Sequence, residues 1–152
     1  MEGAFSSGKE KKMKQTKKIL RVVPLLLLAA ILLAACTPVP ASWEDAKFKS
    51  DATVGEGATT VTVKVTADEK TVTITLNTDK TDLAEAMLAE ELCAGEEGAY
   101  GLYIKYINGI RADYDLDGGY YWQLTVNSEV SMIGASGTPI ADGTVYEFIR
   151  TK

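Results

Sequence analysis

The sequence predicts an α+β fold in which an antiparallel hairpin is followed by one helix and then by further strands. Three observations support this prediction. Apolar and polar residues alternate in two neighbouring runs after residue 60, and one later segment has the apolar spacing of a helix. Pairs typical of turns, such as Asn-Gly and Asp-Gly, separate the remaining β-branched and aromatic runs.

The hairpin is predicted from residues 61–65 and 72–76, where every second residue is Val, Ile or Leu and most residues between them are threonine. A period of two places the apolar side chains on one face of a strand. The short polar connection at 67–70 allows the two strands to pair antiparallel. One face of this hairpin is therefore predicted to be buried.

A helix of roughly ten residues is predicted next. Thr81 or Asp82 offers an N-cap, and Glu85 lies three residues after Asp82, as in a capping box. Leucine, alanine and methionine then recur at helical spacing, and Gly95 offers a stop. The apolar face of this helix is predicted to pack on the sheet.

Further strands are predicted at 102–107, 120–126, 130–133 and 145–149. Within 120–126, the face that carries Trp122 is more apolar than the face that carries Tyr121 and Gln123. Trp122 is therefore predicted to lie in the core. Tyr121 and Gln123 are predicted to point away from it.

The first 35 residues have the three parts of an export signal: a lysine-rich stretch, an apolar run at 22–35 and small residues. The run is shorter than the roughly 20 residues that cross a bilayer, so it is predicted to be cleaved. Leu33-Ala34-Ala35-Cys36 resembles the lipobox of bacterial lipoproteins, which implies lipidation of Cys36. Met13 is an alternative start, because the lysines after it suffice for such a signal.

These features predict three segments: a lipoprotein signal peptide at 1–35, a lipidated Cys36 with a flexible stalk at 36–57, and a folded domain at 58–152. The stalk is predicted from its prolines and its lack of apolar periodicity. Anchoring would hold the domain at the extracytoplasmic face of the cell membrane. If the host has two membranes, the outer one is the predicted address.

Composition excludes several classes of function. The chain has no histidine and two cysteines, so it builds no Ser-His-Asp or Cys-His catalytic group. Once Cys36 is lipidated, Cys93 remains alone, without a disulfide partner or a cysteine metal cage. The formal net charge of −5 becomes more negative without the basic leader, which argues against nucleic acid. The chain is predicted not to be an enzyme.

Asp113, Asp115 and Asp117, followed by Gly118, match the start of a D-x-D-x-D-G calcium loop. The twelfth position, which should be a bidentate glutamate, is Leu124. No metal is favoured for that reason. A weak calcium site and a solvated acidic loop both stay open as interpretations.

All seven tyrosines lie between residues 100 and 146, and exposed aromatic side chains can bind flat ligands or protein partners. The segment 132–137 is apolar and then flexible, so it can present main-chain donors and apolar contacts. The candidate ligand-binding residues are Tyr121, Gln123, Tyr114, Met132, Ile133 and Gly134. The alternatives are ordinary β-sheet composition and an edge strand that ends in a turn.

Four stretches in order, YIKYINGI at 103–110, YWQL at 121–124, GA at 134–135 and IADGTVYEF at 140–148, resemble the transcobalamin-like C-terminal domain family. The resemblance covers about residues 59–152. It implies a β-grasp-like fold and binding of cobalamin or another soluble ligand. In such carriers a large helical domain covers the other face of the corrinoid, and residues 1–152 are not predicted to contain that domain.

Two functions are predicted as alternatives. The first is a non-enzymatic, membrane-anchored ligand-binding module that acts with a partner domain or protein, with cobalamin-like compounds as the first ligand class. The second is a surface module for protein interaction or adhesion that has no small-molecule ligand.

Overall fold

Two sheets and one helix make up the part of the chain that the computed structural model describes, residues 40–152. In chain order, the elements are β1 (Ala52–Val54), β2 (Thr59–Ala67), β3 (Lys70–Thr78), α1 (Leu83–Ala89), β4 (Cys93–Gly98), β5 (Gly101–Ile107), β6 (Ile110–Arg111), β7 (Tyr121–Val126), β8 (Glu129–Val130) and β9 (Val145–Thr151). The predicted signal peptide, the alternative start at Met13 and the lipidated Cys36 lie outside the described residues.

The larger sheet has six strands in the order β1-β3-β2-β9-β7-β8, and the smaller sheet has the order β4-β5-β6. The hairpin β2–β3 is antiparallel, as its alternating pattern predicts, and β9 lies parallel to β2 at the centre. β7 then pairs antiparallel with β9. The predicted α+β class is confirmed.

The core lies on one face of the larger sheet. Every apolar residue of the alternating runs in β2 and β3 is buried, and Val65 lies opposite Phe148 in the parallel register. α1 packs on this face with Leu83 and Met87 fully buried. Burial of each such side chain contributes about 1.5–3 kcal/mol.

The predicted start of the helix is correct, and its predicted end is wrong. Asp82 is the N-cap and accepts a hydrogen bond from Glu85 N at 3.1 Å. The helix ends at Ala89, whereas Gly95 lies inside β4 at a shift of register against β5. Gly95 is needed there because a Cβ atom would lie 2.0 Å from the carbonyl oxygen of Tyr103.

Residues 40–54, here called the strap, pack against the strands that follow them. The Trp43 indole donates to Ala67 O at 3.2 Å, and Phe48 packs on the core. β1 then adds a parallel edge strand to β3. These contacts are tertiary, which is why a segment without periodicity of its own has a defined place.

Asn108 fastens the strap. Its side chain accepts from Phe48 N and donates to Phe48 O, both at 2.8 Å, and its carbonyl oxygen accepts from Lys47 N at 2.9 Å. Asn108 is fully buried and has a φ of 53°, a left-handed conformation that asparagine tolerates better than most residues. The turn between β5 and β6 therefore holds the strap in place through these hydrogen bonds.

The predicted strand at 130–133 is shorter in the structure. β8 ends at Val130, and the chain bends at Met132 and Ile133, whose side chains are exposed. Trp122 is partly buried and packs against the core, as its more apolar face predicts. Within residues 40–152, no helix is long and apolar enough to cross a bilayer.

Candidate functional site

An apolar cleft of about 150 Å³ lies between β5 and β7, here called the β5–β7 cleft. One wall consists of Leu102, Tyr103 and Ile104, and the other of Tyr121, Trp122 and Leu124. Phe148 and the backbone around Gly134 and Ala135 complete its lining. Aromatic and aliphatic groups thus converge on one concavity.

The cleft exists because β8 is short. β8 pairs only with Thr125 and Val126 of β7, so the first residues of β7 lie beyond it. β5 faces this part of β7 from a different sheet. The gap between the two strands is thus bordered by side chains from both sheets and is not bridged by a ladder of main-chain hydrogen bonds.

The loop at 131–137 lies along the cleft and is fixed at both ends. Ser131 N donates to Leu124 O at 2.9 Å, and Gly137 N donates to the N-cap carboxylate of Asp82 at 2.6 Å. Next to Gly137, Ser136 Oγ accepts from Leu102 N at 3.0 Å. The loop therefore joins α1, β5 and β7 around the cleft.

The structure brings together some of the predicted ligand-binding residues. Tyr121 and Gly134 line the cleft, and Met132 and Ile133 immediately precede Gly134 in the chain, with 93% and 56% of their surfaces exposed. Gln123 and Tyr114 are not among the residues that line it. Gln123 is half-buried on the opposite face of β7 from Trp122, and Tyr114 lies exposed in the acidic loop.

Sequence reasoning missed the wall contributed by β5. Tyr103 lines the cleft and is 46% exposed, close to the 38% of Tyr121. Each of the two strands thus contributes a half-exposed tyrosine to the lining, and tyrosine combines an apolar ring with a polar hydroxyl, which suits amphipathic ligands and protein partners. The strand at 102–107 was predicted, but its facing partner could not be read from local pattern.

The acidic loop at 113–118 is held by cations of the protein itself. Arg111 donates hydrogen bonds from Nε and Nη2 to the carboxylate of Asp117, with Nη2 to Oδ1 at 2.6 Å. Asp117 also accepts from Asp113 N at 2.8 Å. Asp113 pairs with Lys105 at 3.1 Å and accepts from Asp115 N. Both carboxylates are buried, and Asp115 is exposed.

These contacts bear directly on the calcium interpretation. The oxygens of Asp113 and Asp117, which a calcium loop would turn towards one ion, are already engaged by cationic side chains and main-chain N–H groups. Among the described residues, no group of three or more acidic, cysteine or histidine side chains is arranged to hold a metal ion. The loop folds around an ion-pair network.

The same contacts set the pKa of each aspartate. Burial alone would raise the pKa of Asp117, but Arg111 and the N–H of Asp113 outweigh burial and hold it below its ordinary value. Burial would also raise the pKa of Asp113. Lys105 and the N–H groups of Leu116 and Asp115 outweigh burial, so the pKa of Asp113 is lowered as well. Both groups are ionised at neutral pH.

Acid is therefore expected to destabilise the domain through this loop. A carboxyl group whose pKa is lower in the folded than in the unfolded chain contributes stability that is present above its unfolded pKa of about 3.9 and is lost as pH falls through its folded pKa. Urea unfolding of wild type and Asp117→Asn at pH 7, 4 and 3 measures this contribution. The variant should show a smaller loss of stability below about pH 4. Equal losses in both proteins would contradict the assignment.

Cys93 lies at the start of β4 and is buried. Burial raises the pKa of its thiol to about 12, because the thiolate would lose hydration. The thiol is therefore protonated at neutral pH, a state that is a poor nucleophile. Cys93 is part of the main apolar cluster and behaves there as a small apolar residue.

Comparison with known proteins gives one matching family and several similar solved structures, two of which are described below. Residues 82–148, less than half of the chain, match the family described as a domain of unknown function (DUF4430). The chain is similar to a candidate metal-binding protein from Ruminococcus gnavus ATCC 29149, with 29% identity, a TM-score of 0.57 and coverage of 62% of this chain and 98% of that one. No curated protein matches the chain.

The second structure is haptocorrin in complex with Cbi, with 22% identity and a TM-score of 0.47. The match covers 62% of this chain and 25% of haptocorrin. The chain thus spans about a quarter of the length of that protein. The Ruminococcus gnavus structure, which is matched over nearly its whole length, supports the fold described above.

Proposed function

We propose that the chain is a membrane-anchored, extracytoplasmic module that binds a soluble ligand in the β5–β7 cleft, with cobalamin-like compounds as the first ligand class. The observation that carries the proposal is the convergence of Tyr103 and Tyr121 on one apolar concavity. Such a site, with few polar groups around apolar walls, is typical of small-molecule binding. The ligand class follows from the resemblance of residues 103–148 to transcobalamin-like domains.

The order of elements supports a β-grasp-like domain. The hairpin β2–β3 and the later antiparallel pair β7–β9 form a mixed sheet in which β2 and β9 lie parallel at the centre. The helix α1 lies between the two pairs in the chain. In this arrangement the helix covers one face, and the loop at 131–137 lies beside the helix N-terminus. The two walls of the proposed site therefore lie on strands, which hold side chains more precisely than loops do.

A partner is part of the proposal because of the size of the cleft. Its volume of about 150 Å³ is below the roughly 300–1,000 Å³ typical of pockets that enclose a small molecule. A corrinoid would be contacted on one face only. A second domain or protein would cover the other face, and the exposed side chains of Met132 and Ile133 lie where such a partner would meet this domain.

Membrane anchoring is supported by the sequence alone. The lipobox-like residues 33–36 follow an apolar run of the length of a signal peptide. Acyl chains on Cys36 would tether the domain, and an external address would place it where soluble ligands arrive. Globomycin treatment of producing cells, followed by mass measurement, would test cleavage before Cys36.

Calorimetric titration of residues 40–152 with cobalamin and cobinamide tests the ligand. Saturable heat at micromolar affinity, about −8 kcal/mol, is expected for at least one of them. Tyr103→Ala and Tyr121→Ala should each weaken binding by about tenfold, roughly 1.4 kcal/mol, because each removes one aromatic wall. Tyr100→Ala is the matched control, since Tyr100 is fully exposed at the hairpin tip and lies outside the cleft.

Absence of heat at high ligand concentration would contradict corrinoid binding by this domain. The second function, a module for protein interaction, is favoured by the exposed apolar side chains on and beside β8. Val130, Met132 and Ile133 are large apolar side chains with more than half of their surfaces exposed, on or beside a two-residue edge strand. Exposed apolar groups of this kind mark interaction surfaces.

A further inference from the structure

A second and larger cleft, of about 370 Å³, lies between the strap and the β5–β6 hairpin, and is here called the polar cleft. Asp45 and Ser42 of the strap form one side, and Tyr106 and Arg111 form the other. Its volume falls within the range of pockets that hold small ligands. None of these residues lines the β5–β7 cleft, so the polar cleft is a separate site.

The walls of the polar cleft are held by backbone contacts. Gly109, between the two sides, has a φ of 80°, and a Cβ atom there would lie 2.5 Å from Asp45 O. Glycine thus lets the strap lie directly against the turn. The hydrogen bond from Lys47 N to Asn108 O, at 2.9 Å, fixes the strap in this position. The cleft is therefore preformed wherever the strap is docked.

Charge excludes an anion as the preferred ligand. Arg111 is already paired with Asp117 at 2.6 Å, and Arg150 donates to Arg111 O at 3.0 Å. Asp45 adds a negative charge at the exposed rim. Two arginines are thus balanced by two aspartates among the lining residues, so a ligand with a net charge of either sign gains little. The chemistry fits a neutral, polar molecule.

The remaining groups fit a sugar. Tyr106 lines the cleft with 39% of its surface exposed, and it lies opposite Arg111 in the pairing of β5 with β6. An aromatic ring offers a flat apolar face to the C–H groups of a sugar ring. Beside it, the Ser42 hydroxyl donates to Oδ2 of Asp45, and the remaining acceptor positions of both side chains can accept hydrogen bonds from sugar hydroxyls. We propose that the polar cleft binds a neutral saccharide of one or two rings.

Titration of the full chain, in a zwitterionic detergent that has no sugar headgroup, tests the proposal. The probes are maltose, cellobiose, lactose and N,N′-diacetylchitobiose, with glucuronate and inorganic phosphate as charged comparisons. Binding is measured from the shifts of amide NMR signals. At least one neutral disaccharide should bind at millimolar affinity or tighter, with shifts around Tyr106 and Gly109. Tyr106→Ala should weaken binding by about tenfold, and Tyr106→Phe should keep most of it.

Tyr103→Ala is the matched control, because Tyr103 is an exposed tyrosine on the same strand that lines the other cleft. It should leave saccharide affinity unchanged, and Tyr106→Ala should leave corrinoid titrations unchanged. Binding of glucuronate or phosphate alone, no binding of any neutral probe, or equal loss in the two alanine variants would overturn the proposal. Retained amide dispersion in Tyr106→Ala excludes unfolding as the cause of a loss.

Discussion

Replacement of Asn108 by alanine is expected to lower the free energy of unfolding by about 3 kcal/mol. The substitution removes two hydrogen bonds to Phe48 and leaves the main-chain N–H and carbonyl of that residue without these partners. It also places alanine at a φ of 53°. This left-handed conformation is less favourable for alanine than for asparagine, whose side chain can hydrogen-bond locally. Urea unfolding followed by tryptophan fluorescence measures the loss.

Asn127→Ala is the control for backbone conformation. Asn127 also has a left-handed φ, of 48°, in a turn, but it is exposed and makes a single side-chain hydrogen bond, to Val145 N. Its replacement should cost about 1 kcal/mol. Equal losses of unfolding free energy at the two positions would show that turn conformation, and not the hydrogen bonds to the strap, accounts for the effect of replacing Asn108.

Gly95→Ala is expected to cost about 3 kcal/mol by overpacking the bulge between β4 and β5. The added Cβ would lie 2.0 Å from Tyr103 O, and neither main chain can yield without a break in the pairing of the two strands. Gly98→Ala is the matched control in the same strand, because its Cβ would lie 3.3 Å from Gly101 O. It should cost less than about 1 kcal/mol.

Thermal unfolding of the two glycine variants gives the comparison, and ligand titration adds a second readout. Since Tyr103 forms a wall of the β5–β7 cleft, a shift of β5 in Gly95→Ala should also weaken any ligand held there. A Gly95→Ala protein as stable as Gly98→Ala would show that the bulge relaxes without cost.

Local pattern predicted the parts of the fold that local physics decides. The alternation through 61–65 and 72–76 identified the hairpin and its buried face, and Asp82 identified the helix start, because capping and period-two burial act over a few residues. The end of the helix at Ala89 was missed because Gly95 serves a strand contact. A glycine has the same appearance in sequence whether it ends a helix or admits a neighbouring backbone.

The strap and the site depended on partners far away in the chain. Phe48 is held by Asn108, which is 60 residues distant, so no window of sequence contains both. Tyr121 was recognised from its own strand, whereas Tyr103 became part of the site only through the packing of β5 against β7. Likewise, the spacing of the aspartates at 113–117 is visible in sequence, but their neutralisation by Lys105 and Arg111 is a property of the fold.

The strap has a mechanical consequence. A pulling force that enters the folded unit at Pro40 runs along the strap before it reaches β1, and β1 lies parallel to β3 at the edge of the sheet. The Trp43 and Asn108 contacts are therefore expected to carry such a force before the central pair β2–β9 does, because they lie nearer to Pro40 in the chain. Under tension the strap is expected to detach from the domain before the strands of the sheet separate, so that the core stays folded at forces that release the strap.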